Sequence, residues 1–417
     1  MQDATNGCSR AARPRPHVAC YYFPNYHEDP RNAAHHGKGW SEWELVRRAE
    51  PRFPGHRQPR VPLHGEEDEA DPRVMASKID LAADHGIDTF LFDWYYYDDG
   101  PFLQRALDEG FLHAPNRDRM TFALMWANHD WVDIHPAKAL APSPVLYPGT
   151  VTPRTFERIV DHVIGDYFLQ PNYWKPGGRP YFSIYDVGRF VRSFGSLHGA
   201  QAGLELFRDR VRDAGLDDLH LDLVMWGPNQ ILRGEEQLKQ PGDVVRALGA
   251  DSVASYVWIH HIPFDGFPTM PYRRMMEKSM AYWHEAQASY SVPYYPNVTV
   301  GWDSSPRTVQ SDHYAPHGYP WATVLNDANP TDFGEAVARC AEFLARRDDP
   351  AERIMTINAW NEWTEGSYME PDTEHGLAYL QALREGLGQF DLSAKGVPAK
   401  VLTATGEPHD PHARHRE

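Results

Sequence analysis

The chain has 417 residues, 41% of them hydrophobic, and a formal net charge of -17. That length suits one large barrel or two medium domains, and the acidity argues against a basic groove for nucleic acid or attachment to an anionic membrane. Three cysteines, Cys8, Cys20 and Cys340, are too few and too scattered for a disulfide framework or a zinc knuckle.

The polar stretch "MQDATNGCSRAARPRP" has no apolar core of a signal peptide. No run of eighteen apolar residues follows that could span a membrane. The expectation is a cytoplasmic protein with a flexible N-terminus (1–16) and a flexible tail (391–417) around one catalytic domain (17–390). "HVACYYF" reads as a first strand. The long Pro- and His-rich stretch 24–71 follows it, and then a helix in "DPRVMASKIDLAADHG", with Pro near its start and Gly86 as a stop. "IDTFLFDWY" is a second strand, "PFLQRALDEGF" a short helix and "MTFALMW" a third strand. "PRTFERIVDHVIGDYF" has apolar residues at helical spacing, and "PYFSIYD" is a fourth strand.

The second half repeats the pattern. "AGLELFRDRVRDAGL" is a helix and "LHLDLVMW" a fifth strand, followed by a weaker helix over 233–248. "SVASYVW" and "RRMMEKSMAYWHEAQAS" form a sixth strand and its helix. "PNVTVGW" and "DFGEAVARCAEFLARR" form the seventh pair, "RIMTINAW" and "GLAYLQALREGL" the eighth. Near-continuous apolar strands suit burial on both faces. Strict alternation implies parallel strands with helical crossovers. Eight units predict a (β/α)8 TIM barrel with elaborated loops at its C-terminal face. The alternative is an open doubly wound sheet, which the absence of GxGxxG after the first strand weakens.

In such a barrel the active site lies at the carboxyl ends of the strands. Tyr22, Asn25 and His27 fall there after strand one; Asp93, Trp94 and Tyr95 after strand two; Trp126 and Asn128 after strand three. Asp186, then Trp226 and Asn229, then His260 and His261 follow strands four to six. Trp302, Asp303 and Arg307 follow strand seven. Indole faces stack on the C–H faces of a sugar, and carboxylates and amides bind its hydroxyls. These residues are candidate substrate contacts, with packing of each Trp in the core as the plainer reading.

After strand eight comes "NAWNEWTEGSYMEPD". Glu362 and Glu365 are three apart. A helical turn there would put their Cβ atoms roughly 5–6 Å apart, and retaining glycosidases hold two carboxyl groups about 5–5.5 Å apart. Close like charges raise one pKa, so one group stays protonated. The plain alternative is a pair of solvated loop acids; Trp360 and Trp363 argue for a desolvated setting. Asn361, Tyr368 and Glu370 in the same stretch are further contact candidates. "HH" at 35–36 and 260–261 lacks a metal-ligand spacing, and Asp98 and Asp99 read as turn acids. No metal or cofactor is expected.

The stretches "YYFPNYH", "GKGWSEWELV", "PRFPGHRQPRVP", "GIDTFLFDWYYYD", "MWANHDW", "GWDSSPR" and "NAWNEWTEGSYMEPD" resemble the glycoside hydrolase family 99-like domain over about 17–385. That group includes bacterial proteins labelled lipopolysaccharide-biosynthesis glycosyltransferases. Its better-characterised relatives are retaining endo-α-mannosidases and endo-α-mannanases. The resemblance implies that Glu362 deprotonates the sugar 2-hydroxyl, which attacks the anomeric carbon to give a 1,2-anhydro sugar. It implies that Glu365 is the general acid, then the base that activates water, and that Glu370 binds substrate. "GWSEW" belongs to the 99-like branch and not to the mannosidases; Trp40 and Glu42 within it are expected to fold over the barrel mouth as a subsite. The expected activity is a retaining glycoside hydrolase on an α-linked, mannoside-like glycan. The alternatives are a glycosyltransferase or polysaccharide-assembly enzyme, and a non-catalytic glycan-binding protein.

Overall fold

The computed structural model describes residues 15–226 and 240–388. The expected flexible termini therefore fall almost wholly outside the described residues, as do Cys8 and Asn229.

Eight strand positions form one parallel ring. β1 (His17–Tyr22), β2 (Thr89–Tyr97), β3 (Thr121–Trp126), β4 (Tyr181–Ile184), β5 (His220–Val224) and β6 (Ser252–Ala254) pair in sequence order. β7 comes in two pieces, Tyr294–Tyr295 and Asn297–Thr299, and β8 spans Ile354–Asn358. Pro296 breaks β7 because it has no N–H for the ladder. The first piece pairs with β6 and the second with β8. β8 in turn pairs with β1, Val18 lying opposite Met355. The ring is thereby closed, which removes the open edges that a doubly wound sheet would leave.

Helices cover the outside. α1 (Pro72–Asp84) starts on Asp71, whose side chain accepts from Arg73 N–H, with Pro72 at the first position. α2 (Pro153–His162) continues into a π-helical turn, Val163–Phe168. α3 (Leu197–Asp213), α4 (Tyr272–Ser289), α5 (Pro330–Leu344) and α6 (Ala378–Gly386) pack their apolar stripes on the barrel.

Two expected elements differ. "PFLQRALDEGF" is not one helix: Gly100–Phe102 folds back antiparallel on the end of β2, and Ala106–Phe111 forms a π-helical turn. Gly100 sits at φ 117°, a left-handed conformation that ends β2 in a tight turn. Of the weak helix over 233–248, Pro241–Ala247 is helical, and 233–239 lies outside the described residues. The loop after β1 carries two short helices, Pro30–His36 and Trp43–Arg48. It folds back on the barrel mouth, where Glu42 at the start of the second helix is fully buried. No helix among the described residues is long and apolar enough to cross a membrane.

Candidate active site

The segment after β8 forms a small hairpin with a single helical turn at its tip. Asn361–Glu362 pairs antiparallel with Ser367–Tyr368, and Trp363–Glu365 makes a single 3-10 turn between them. Gly366 closes the hairpin at φ 62°, and a Cβ there would stand 2.7 Å from that of Asp303. That approach lets Asp303 N–H donate to the Glu365 backbone carbonyl at 2.5 Å, so the loops after β7 and β8 are locked together. Both glutamates consequently point to the same place, the mouth of the barrel.

There a cavity of about 410 Å³ opens. Its wall is supplied at alternate positions along the strands: Asp93 and Tyr95 from β2, Met125 from β3 and Ala127 just past it, then Tyr185, Tyr256 and Trp302. Glu362, Glu365 and Arg307 form one wall together. Arg307 Nη1 donates to Glu365 Oε1 at 2.5 Å, and Nη2 donates to Glu362 Oε2 at 3.1 Å. Its Nε donates to Glu42 Oε1 at 2.9 Å. Tyr319 donates to Glu365 Oε1 at 2.8 Å. Tyr256 donates to Asp93 Oδ2 at 2.8 Å and lies 3.3 Å from Glu362 Oε1. One cation thus serves three buried carboxylates, with a fourth nearby.

The electrostatics follow. Burial, and then the charge of Glu365, push the Glu362 carboxyl well above the usual carboxylate range. Burial also raises Glu365, but Arg307 and the Tyr319 hydroxyl stabilise its ionised form and limit the rise. Burial pushes Asp93 well up, against the Tyr256 hydrogen bond. Glu42 goes the other way: burial would raise it, but Arg307, His135 and Thr364 outweigh burial and hold it below the usual range.

Among the sequence candidates, Asp93, Tyr95, Trp226, Trp302, Arg307, Glu362 and Glu365 come together on the cavity wall. Others lie elsewhere. Tyr22 packs outside the barrel on Phe90 and Phe92. Trp94 stacks on Tyr96, and Trp126 packs on Phe156 and Phe190. Both alternate with inward neighbours, so strand geometry turns them away from the mouth. Asn128 exchanges two hydrogen bonds with the Asp186 backbone and joins two loops. His27 is buried outside the cavity, its pKa driven down to about 3 chiefly by burial. Asn25 Nδ2 donates to Glu42 Oε2 at 2.5 Å. Trp40 stacks on His36 and meets the cavity residue His135 edge-on. Asp303 accepts from His56 and Gln58. Asn361 ties the end of β1 to the hairpin through Phe23 N–H and C=O. Tyr368 stacks on Trp363 at 3.8 Å, and Glu370 pairs with Lys78 behind the hairpin.

Sequence reading missed Tyr185, Tyr256, His135 and Tyr319. The first two sit just past β4 and β6, where the strand-end rule applied evenly would have found them. His135 and Tyr319 arrive on long loops that carry no local signal. Four buried polar atoms on the wall, Asp93 Oδ1, His135 Nδ1, His260 Nδ1 and Trp302 Nε1, have no hydrogen-bond partner among the described residues. Buried polar groups demand partners, and a ligand rich in hydroxyls would supply them. Trp226 stacks on His260 with centroids 4.4 Å apart, and Trp131 on His135 at 5.0 Å; all four residues line the cavity. No cluster of three or more potential ligands among the described residues is arranged to hold a metal ion.

Residues 18–383 match the family described as "Glycosyltransferase WbsX". The chain belongs to that family. "Uncharacterized protein WxcX" of Xanthomonas campestris pv. campestris is 28% identical over 382 residues, covering 89% of this chain and 49% of that protein. The chain therefore spans about half the length of the curated relatives it matches. The GH99 endo-alpha-mannosidase from Bacteroides thetaiotaomicron, solved with bis-tris propane, superposes with a TM-score of 0.53 at 13% identity, over 90% of this chain and 97% of that one. A "Glycoside hydrolase-like protein" gives 0.55 at 15% identity, over 90% and 95%. At these identities the likeness establishes the fold, a GH99-like barrel.

Proposed function

We propose that this family member is a retaining glycoside hydrolase acting on an α-linked, mannoside-like glycan, with Glu362 and Glu365 as its catalytic residues. The observation that carries the reading is a single guanidinium, Arg307, bridging two glutamates on the wall of an aromatic cavity at the carboxyl ends of the strands. The endo-alpha-mannosidase whose barrel it resembles supports the substrate class.

In the reaction, Glu362 takes the proton of the sugar 2-hydroxyl. O2 then bonds to C1 as the glycosidic C1–O bond breaks, and the proton of Glu365 goes to the leaving oxygen. Water next attacks C1 and gives its proton to Glu365 as the C1–O2 bond breaks, and O2 recovers its proton from Glu362. The electrostatics of the pair lean the other way. Burial beside Glu365 favours a proton on Glu362, whereas Arg307 and Tyr319 favour ionised Glu365. The assigned roles therefore need the proton on Glu365 when substrate is bound. The reverse assignment, Glu362 as acid, follows the resting electrostatics. Leaving-group dependence separates them: the variant lacking the acid is rescued by activated aryl glycosides, and the other is not.

The test of the reading is incubation with a panel of α-linked glycans, with and without nucleotide sugars. Release of reducing ends with retained configuration, abolished in Glu362→Gln and Glu365→Gln, is the expected result. Turnover only with a nucleotide sugar would instead establish the transferase reading, which the description of the matched family favours.

A further inference from the structure

We propose that Glu42 is a positioning residue: it is the fixed anion that aims Arg307 at the catalytic pair and neutralises it there, so that one carboxyl of the pair can keep its proton. The role in catalysis rests on the hydrolase reading above; the effect on the pair does not.

The geometry separates Glu42 from the other carboxylates of the cluster. It is 0% exposed and has no place on the cavity wall, whereas Asp93, Glu362 and Glu365 all have one. Its two oxygens are already occupied. Oε1 accepts from Arg307 Nε at 2.9 Å, lies 2.9 Å from Arg307 Nη2, and accepts from the Thr364 hydroxyl. Oε2 accepts from Asn25, which is itself held by Asn32 Nδ2 at 2.7 Å. A carboxylate so fully engaged has no oxygen left for a sugar. It grips the inner edge of the guanidinium, Nε and Nη2. That fixes the plane of the group and leaves Nη1 directed at Glu365 and Tyr319, and the second hydrogen of Nη2 at Glu362.

The charge arithmetic gives the second half of the role. An unopposed Arg307 beside Glu362 and Glu365 would draw the proton off both, because an opposite charge within about 4–6 Å lowers a carboxyl pKa by about 1–3 units. An acid–base pair needs one proton retained. Glu42 supplies the opposing charge from behind, and its field raises both members of the pair. Among the described residues the other groups facing the pair are Asp93, which also raises Glu362, the hydroxyls of Tyr256 and Tyr319, and the more distant phenols of Tyr26, Tyr95 and Tyr185, all neutral because burial raises them. Around Glu42 itself the remaining titratable neighbour within ion-pair range is His135, 3.9 Å from Oε2. Burial drives His135 down to about 4, so it is neutral near pH 7 and Arg307 is the cation that matters.

The test titrates the pair directly and needs no substrate. Protein labelled with ¹³C at the glutamate carboxyl carbons is followed by NMR from pH 3 to pH 9, with Glu362 and Glu365 assigned from their Gln variants. In Glu42→Gln the pair should release its protons at a pH lower by about one unit or more. An unchanged titration in a folded Glu42→Gln overturns the proposal. If Glu42→Gln does not fold, the parent still decides: Glu42 should take up its proton below the ordinary glutamate pKa of about 4.3, and uptake at or above that value overturns the proposal. Because neither readout involves turnover, a failure here is distinct from a failure of the hydrolase reading, which the glycan panel tests alone.

Discussion

The hairpin at 361–370 contributes to two buried ion clusters, and they differ in one respect that matters. On the cavity side, Arg307 holds Glu362 and Glu365. Behind the hairpin, Lys78 holds Glu370 and lies 3.1 Å from Glu69. Both cations are nearly inaccessible, and both clusters contain carboxyls displaced from their usual range; burial pushes Glu69 up to about 7 despite Lys78. The polar satisfaction is alike too: Trp363 Nε1 donates to Glu370 at 2.6 Å, and Asn361 Nδ2 to Glu69 at 2.7 Å. Access separates them. The space beside Lys78 is about 20 Å³, room for a single water, against about 410 Å³ beside Arg307. A shifted carboxyl is therefore not in itself a sign of chemistry; the same electrostatics close one seam and open one site. Glu370, a substrate contact by resemblance, lies in the closed seam.

Breaking each cluster should have opposite consequences. The largest effect is expected at the open one. Glu362→Gln or Glu365→Gln should lower turnover on a confirmed substrate by about 10²–10⁴-fold while leaving the melting temperature at or above that of the parent, because each relieves like-charge crowding. Steady-state kinetics and calorimetry on the same preparations check it. A large loss of melting temperature in both variants would place the pair with the structural seam.

At the closed cluster, Lys78→Met removes the cation and strands two buried carboxylates, a change that typically costs about 3–5 kcal/mol. Denaturant unfolding should show that loss. Turnover per folded molecule should be nearly unaffected, since Lys78 has no face on the large cavity.

Asp303 supports the open site from behind. Burial would raise its carboxyl, but donors from His56, Ser305 and Gln58 hold it at about 2. Its folded pKa is depressed, so its contribution is fully present above the unfolded value near 3.8 and is lost as pH falls toward about 2. The difference corresponds to about 2–3 kcal/mol. Asp303→Asn should flatten the fall in stability between pH 4 and pH 2 in acid-unfolding measurements.

The smallest expected change is Tyr319→Phe. It removes one neutral hydrogen bond from Glu365, of order 1 kcal/mol, or about a fivefold to tenfold effect on rate. Its sign sharpens the assignment of roles. If Glu365 is the acid, loss of a donor that favours its ionised form should shift the alkaline limb of the rate profile to higher pH.

The barrel was legible in the sequence because most strands are short apolar runs followed by a helix of 3.6-residue period, and both signals are local. "RIMTI" and "HVACYY" announce β8 and β1 without help from any distant residue. The position of the glutamate pair was legible for the same reason, since the active end of a barrel is the carboxyl end of its strands. Inward and outward residues were not legible. Asp93 and Trp94 are adjacent, yet one faces the cavity and the other the helices, and only the ring's closure settles which parity points inward. Trp94 and Trp126 were therefore grouped with the site although they pack outside it. The contacts that build the site are longer still. Arg307 meets Glu42 across 265 residues and Glu362 across 55; no periodicity encodes such a meeting. Local chemistry determined the strands, the helices and the carboxylates available. Which carboxylates share a cation, and which of those clusters a sugar could reach, was decided by how the loops after β1, β7 and β8 pack on one another at the mouth.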